Sequence, residues 1–278
     1  MNKVLVRAIS GAIYVALIVG AILAGPQWFG ALMALFAALG VIEFGKVCTG
    51  PAPAHWAATV ARILDVIAAI FLVVLPIVFT LPFGLTICIL ALIICYPLLR
   101  FTIALYDKGA QAFAEVTRSV MSLVYIALPL FLLVCVYCDK GHATMLLVLC
   151  TFILIWLNDT GAFCVGSLCG RRRLFERLSP KKSWEGFFGG LGFCLLAGVL
   201  FFYVVPEVGY TLPQWLIMAA VVCVLSTWGD LFESLFKRSH HIKDSGNLIP
   251  GHGGILDRID SLLFVSMGLF IFEFFNTL

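Results

Sequence analysis

Asp230, Glu233, Ser234 and Lys237 are spaced so that, on a helix, all four polar groups share one face. Asp257 and Asp260 repeat the three-residue interval at the entrance of a later apolar run, in the order Asp257-Arg258-Ile259-Asp260. A carboxylate at the edge of hydrocarbon is costly unless it is paired or binds a cation. Solvated loop charges would explain lysines and arginines, but not acids placed where each one costs energy. Oxygen-only ligands favour a hard divalent ion, Mg²⁺ or Mn²⁺. Lys237, Arg238, Lys243 and Arg258 would repel a bare cation, and they suit a polyphosphate that brings the cation with it. Gly251, Gly253 and Gly254 around His252 let backbone amides approach an anion closely.

A second polar segment precedes this one. It carries Asp159-Thr160-Gly161, a basic shelf of Arg171, Arg172, Arg173, Lys181 and Lys182, and Ser179-Pro180 as a turn signal. Such a shelf at the membrane face suits a lipid phosphate. A purely topogenic basic loop would account for the cations but not for Asp159.

The elements that must position these groups are apolar. The 278 residues are 62% hydrophobic and 12% charged, with mean hydropathy +1.09, whereas soluble domains carry about 25% charged residues. The solvent is therefore mostly lipid, and the continuous apolar runs, without β alternation, predict an all-α polytopic bundle. Nine spans are expected, at 4–24, 27–45, 57–79, 82–105, 119–137, 142–157, 186–205, 212–230 and 259–276. The first is read as an uncleaved signal anchor. With the N-terminus in the cytoplasm, every Lys and Arg except Lys140 falls on the cytoplasmic side, as the positive-inside rule requires.

The polar segments 156–186 and 229–261 then emerge on one face, separated by a helical hairpin. Residues 1–140 are read as a scaffold of spans 1–5 and a possible dimerisation region, and 141–278 as the catalytic part. Gly186, Gly189, Gly190 and Gly192 lie within a span and suit close helix packing. Arg62 and Asp65 could pair with each other. The cysteines lack the second half of a zinc site, since Cys135 and Cys138 form a lone pair. His55, His142, His240 and His241 have no ligand company either. No feature calls for nucleic acid.

The run Ser234 to Arg238, then Lys243-Asp244-Ser245-Gly246, then Ile249 to Asp260 resembles the signature of phosphatidate cytidylyltransferases. Asp159-Thr160-Gly161-Ala162 and Ser179 to Gly186 are also similar to motifs of that family, with departures at Phe163, at Ser167 and in a proline missing from 171–178. The resemblance covers about 156–261. It implies transfer of a cytidylyl group from CTP to phosphatidic acid, giving CDP-diacylglycerol and diphosphate. It further implies a metal centre at Asp230 and Asp257 with Asp260 beside them, Mg²⁺ with a monovalent cation such as K⁺ possible, and a homodimer. By the same resemblance Ser179, Lys182, Lys237, Arg238 and Arg258 contact phosphate, His252 meets CTP or forms a structural turn, and Asp159, Lys243, Gly253 and Gly254 border the substrates. The expected setting is a bacterial inner membrane, with the site facing the cytoplasm.

Two other readings compete. A CTP-dependent enzyme acting on an ether or polyprenyl phosphate needs the same acids and bases, and the apolar spans do not separate them. A transporter or scramblase would place ionisable groups and broken helices near the bilayer midplane, in matched halves, and this chain shows neither.

Overall fold

The computed structural model describes residues 3–49, 56–78, 83–107, 112–248 and 253–277. His55 and His252 lie outside them. Among the described residues the chain forms nine helices: α1 (Lys3–Ala24), α2 (Pro26–Thr49), α3 (Trp56–Val78), α4 (Phe83–Tyr106), α5 (Ala112–Asp139), α6 (His142–Cys169), α7 (Trp184–Val204), α8 (Leu212–Ser239) and α9 (Leu256–Thr277). All but α4 are long and apolar enough to cross a membrane, and α4 is apolar over Ile94–Tyr106. α5 contains a π-helical turn at Leu123–Ala127. The helical bundle expected from composition is the fold.

Several boundaries differ from the hydropathy reading. α6 runs past 157 to Cys169 and α8 runs past 230 to Ser239. At 1.5 Å per residue, these 28-residue helices are about 42 Å long, more than the roughly 30 Å hydrocarbon thickness. Their last turns carry Asp159 and Asp230 to Arg238 as helix, not as loop. The polar segment between α6 and α7 folds into an antiparallel hairpin, β1 (Arg173–Phe175) against β2 (Ser179–Ser183). Ser179-Pro180 therefore opens a strand, and the turn falls just before it. Ser183 ends the hairpin by accepting the Gly186 amide at 3.1 Å, which caps α7.

The chain divides into two compact bodies. The first holds Met1–Cys135 with Asp244–Asp257, and the second holds Val136–Lys243 with Arg258–Leu278. In the first, Phe29, Met33, Ile126, Leu130 and Leu133 are fully buried. Asp65 pairs not with Arg62 but with Arg100 at 3.4 Å, Tyr96 at 2.7 Å and Ser119 at 2.5 Å. Those partners lie on α4 and α5, out of reach of any local sequence argument.

In the second body, glycines bring helix backbones together. A Cβ at Gly186 would lie 2.9 Å from the Ala162 carbonyl oxygen, and one at Gly190 would lie 2.5 Å from Asn158 Oδ1. Gly229 does the same between α8 and α9, where a Cβ would meet the Asp260 carbonyl oxygen at 2.5 Å and Ser261 Cα at 3.0 Å. The Ser261 hydroxyl donates to the Ser226 carbonyl at 3.1 Å across the same contact. Asp230 and Asp260 are therefore held by backbone apposition. Gly229→Ala is expected to lower stability by about 1–3 kcal/mol and to shift the melting temperature in detergent. Gly192→Ala, where a Cβ meets nothing within 4 Å, is expected to leave it unchanged.

Candidate active site

The second body gathers the chemistry at one end of α6, α8 and α9. Carboxylate oxygens of Asp230, Glu233 and Asp260 lie within 4.8 Å of one another. Lys182, from β2, reaches Asp230 Oδ2 at 2.6 Å and the Thr227 carbonyl at 3.5 Å. Lys237, one turn beyond Glu233, binds its Oε2 at 2.5 Å. Ser234 donates to Asp230 Oδ1 at 3.4 Å, and the Ser261 amide donates to Asp260 Oδ1 at 2.7 Å. Glu233 is only 1% exposed, so water does not solvate it, and its charge must be answered by cations.

Beside this cluster lies a cavity of about 510 Å³, walled by Asp159, Arg173, Lys181, Lys182, Thr227 and Asp230. Phe163 and Phe187 form its apolar side, and Gly166 and Gly186 leave it open. Asn158, 3% exposed behind Asp159, donates to Ser226 Oγ at 3.3 Å and ties α6 to α8. Exposed Phe163, Leu168 and Phe188 continue the apolar surface from the cavity along α6 and α7.

Three carboxylates cluster beside two lysines. Their donors are all oxygen, and that set suits a hard divalent ion such as Mg²⁺ or Mn²⁺. Lys181, Lys182 and Arg173 at the cavity wall suit phosphate oxygens. Of the residues expected from sequence, the second body brings together Asp159, Lys182, Asp230, Lys237 and Asp260. Ser179 stands opposite Phe175 at the start of the hairpin strand. Arg238 is exposed and donates to the Ile242 carbonyl at 3.3 Å, while Lys243 and Arg258 are also exposed.

The remaining motif residues belong to the first body and form a different arrangement. Gly253 takes a left-handed φ of 87°, where an L side chain would be strained and a Cβ would crowd Asp257 Oδ2 at 2.7 Å. That oxygen accepts from the Gly254 amide at 2.8 Å and lies 2.9 Å from both the amide and the hydroxyl of Ser245. Next to it, Glu43 of α2 accepts the Ile255 and Leu256 amides, each at 3.0 Å. These amides open α9 and have no partner within the helix. Glu43 is 7% exposed, and sequence reasoning passed over it. The available signal was a single acid in an apolar span, which is itself a marker of function or of a specific partner.

Glu43→Ala would orphan two buried amides, an expected loss of about 2–5 kcal/mol, with faster hydrogen exchange at 253–257. Glu43→Gln keeps an acceptor and is expected to lose less.

The chain is similar to known proteins. A phosphatidate cytidylyltransferase of Staphylococcus haemolyticus is 36% identical over 170 residues, which are 60% of this chain and 62% of that protein. One from Thermotoga maritima is 39% identical over 165 residues, 58% of this chain and 60% of that protein. The chain thus spans about three-fifths of the length of the curated relatives it matches. The sequence model of the cytidylyltransferase family reaches further, matching residues 5–275. That match takes in every helix named above almost in full, and this chain belongs to the cytidylyltransferase family.

Proposed function

We propose that the chain transfers the cytidylyl group of CTP to phosphatidic acid. One observation carries the reading: an acidic cluster answered by lysines borders a cavity whose other side is apolar and continuous with exposed helix surface. A nucleotide polyphosphate needs the first part, and a lipid phosphate needs the second.

A phosphatidate oxygen attacks the α-phosphorus of CTP, the bond from that phosphorus to the bridging oxygen breaks, and diphosphate leaves. The products are CDP-diacylglycerol and diphosphate. The nucleophile is already an anion, so no strong general base is required. Asp230, Glu233 and Asp260 would hold a Mg²⁺ or Mn²⁺ ion, which when bound offsets charge on polyphosphate oxygens. The family motif assigns Asp257 to the same centre, although its Oδ2 already meets three donors. Lys182 and Lys237, paired with acids here, exchange those partners for phosphate oxygens when substrate arrives. Arg173 and Lys181 orient the lipid phosphate, and Phe163 carries the cavity wall toward the acyl chains. The setting is a bacterial inner membrane with the site on the cytoplasmic face, and the working unit is a homodimer.

Turnover of labelled CTP with phosphatidic acid in detergent is the direct test. Magnesium-dependent, lipid-linked CMP with matching diphosphate release is expected. Product formed only with a polyprenyl or ether-lipid phosphate would replace the acceptor. No product with any lipid phosphate, from folded protein, would remove the reading.

Asp230→Asn is expected to reduce kcat by about 100-fold or more, a loss typical of removing transition-state charge stabilisation. Unchanged turnover and an unchanged magnesium requirement would contradict the role given to Asp230. Lys182→Ala is expected to raise the KM for CTP as well as to lower kcat.

A further inference from the structure

The first body contains a second cavity, of about 330 Å³, lined by α2, α3 and α5. Lys46, Arg62 and Arg118 stand at its wall, and most of the remainder is apolar, including Val41, Ile63 and Ile67. None of these cations belongs to the segments that carry the proposed chemistry. The acids nearby are already engaged. Asp65 is held by Tyr96, Ser119 and Arg100, and Glu115 pairs with Arg118. Four cations, counting Arg100, thus face two carboxylates, which leaves the cavity net positive.

Arg62 points to what the cavity takes. It lies a turn inside α3, where a snorkelling side chain would extend toward water. Its guanidinium instead donates to Thr49 Oγ1 on α2. Its Nε is buried with no hydrogen-bond partner among the described residues. A guanidinium at the wall of a cavity is matched best by a phosphate oxygen. A free phosphate has no use for the apolar wall. A phospholipid does, because Ile42, Ile63 and Ile67 are partly exposed beside it as acyl-chain contacts.

We propose that this cavity binds the headgroup phosphate of an anionic phospholipid, with Arg62 and Lys46 on the phosphate and Ile63 and Ile67 against the glycerol and first methylenes. None of the residues named here is given a part in the proposed chemistry, and the inference does not depend on that reading.

The test uses the full chain in nanodiscs of phosphatidylcholine with and without phosphatidylglycerol. Lipid retained after transfer to detergent is counted by native mass spectrometry, and thermal unfolding is followed in parallel. Wild-type protein is expected to retain phosphatidylglycerol and to melt higher with it. Arg62→Gln combined with Lys46→Gln is expected to retain it roughly tenfold less, the equivalent of about one good charge-assisted contact. Arg62→Lys keeps the charge but loses the guanidinium fork, and should retain less than wild type and more than the double variant. Lys46→Gln alone, at an exposed position, probes the same site with little risk to folding and should weaken retention measurably. Equal retention by wild type and Lys46→Gln overturns the proposal. Stabilisation by inorganic phosphate in micelles that matches phosphatidylglycerol, with the same dependence on Arg62, overturns it as a lipid site.

Discussion

A carboxylate at the end of an apolar helix must find its counter-charge or its donors within a few ångströms, because lipid offers neither. Most of the polar architecture of this chain follows from that constraint. Glu43 is met by two helix-opening amides, Asp257 by the Ser245 and Gly254 amides, Asp230 by Lys182, Glu233 by Lys237, and Asp65 by Arg100, Tyr96 and Ser119. These pairings differ in kind. Amides are fixed in the backbone and hold an acid permanently. Lysines sit on flexible stems and can change partners. Glu43 is thus held in place by backbone, and so is Asp257 Oδ2, while Asp230 and Glu233 keep partners that can be exchanged.

The division explains how far the sequence could be read. The shared face of Asp230, Glu233, Ser234 and Lys237 depends only on helical periodicity, and α8 continues past Asp230 as that spacing requires. The packing of α6 on α7 is legible in the glycines at 186, 189 and 190 for the same local reason, whereas Gly192, read alike, has no neighbour within 4 Å of its Cβ position. Spacing offers Arg62 to Asp65 because it is one turn away, yet the partners of Asp65 come from α4 and α5. Glu43 was overlooked because the amides it serves are more than two hundred residues distant. Local spacing reports which groups share a helix face and says nothing about which distant backbone will need an acceptor. The β hairpin escaped notice because a short basic segment with Ser179-Pro180 reads equally well as a turn.

The helices also show why hydropathy underestimates where a span ends. α6 and α8 lose their apolar character near Trp156 and Asp230, but the hydrogen-bond ladder does not stop when the side chains become polar. Extending the ladder beyond the hydrocarbon places reactive groups on rigid rods and not on loops. Loops are the usual site of binding residues, but rigid elements hold a constellation more closely.

The glycine at 229 has an effect beyond packing. Bilayers vary in thickness and lateral pressure, and single helices answer by tilting. At Gly229 α8 and α9 touch through backbone, with the Ser261 hydroxyl tied to the Ser226 carbonyl, whereas elsewhere along the pair Phe232 meets Phe264 and Leu225 fills the space at Gly268. A relative tilt of the two helices therefore has the least slack at the level of Asp230 and Asp260, and the most where side chains separate the backbones.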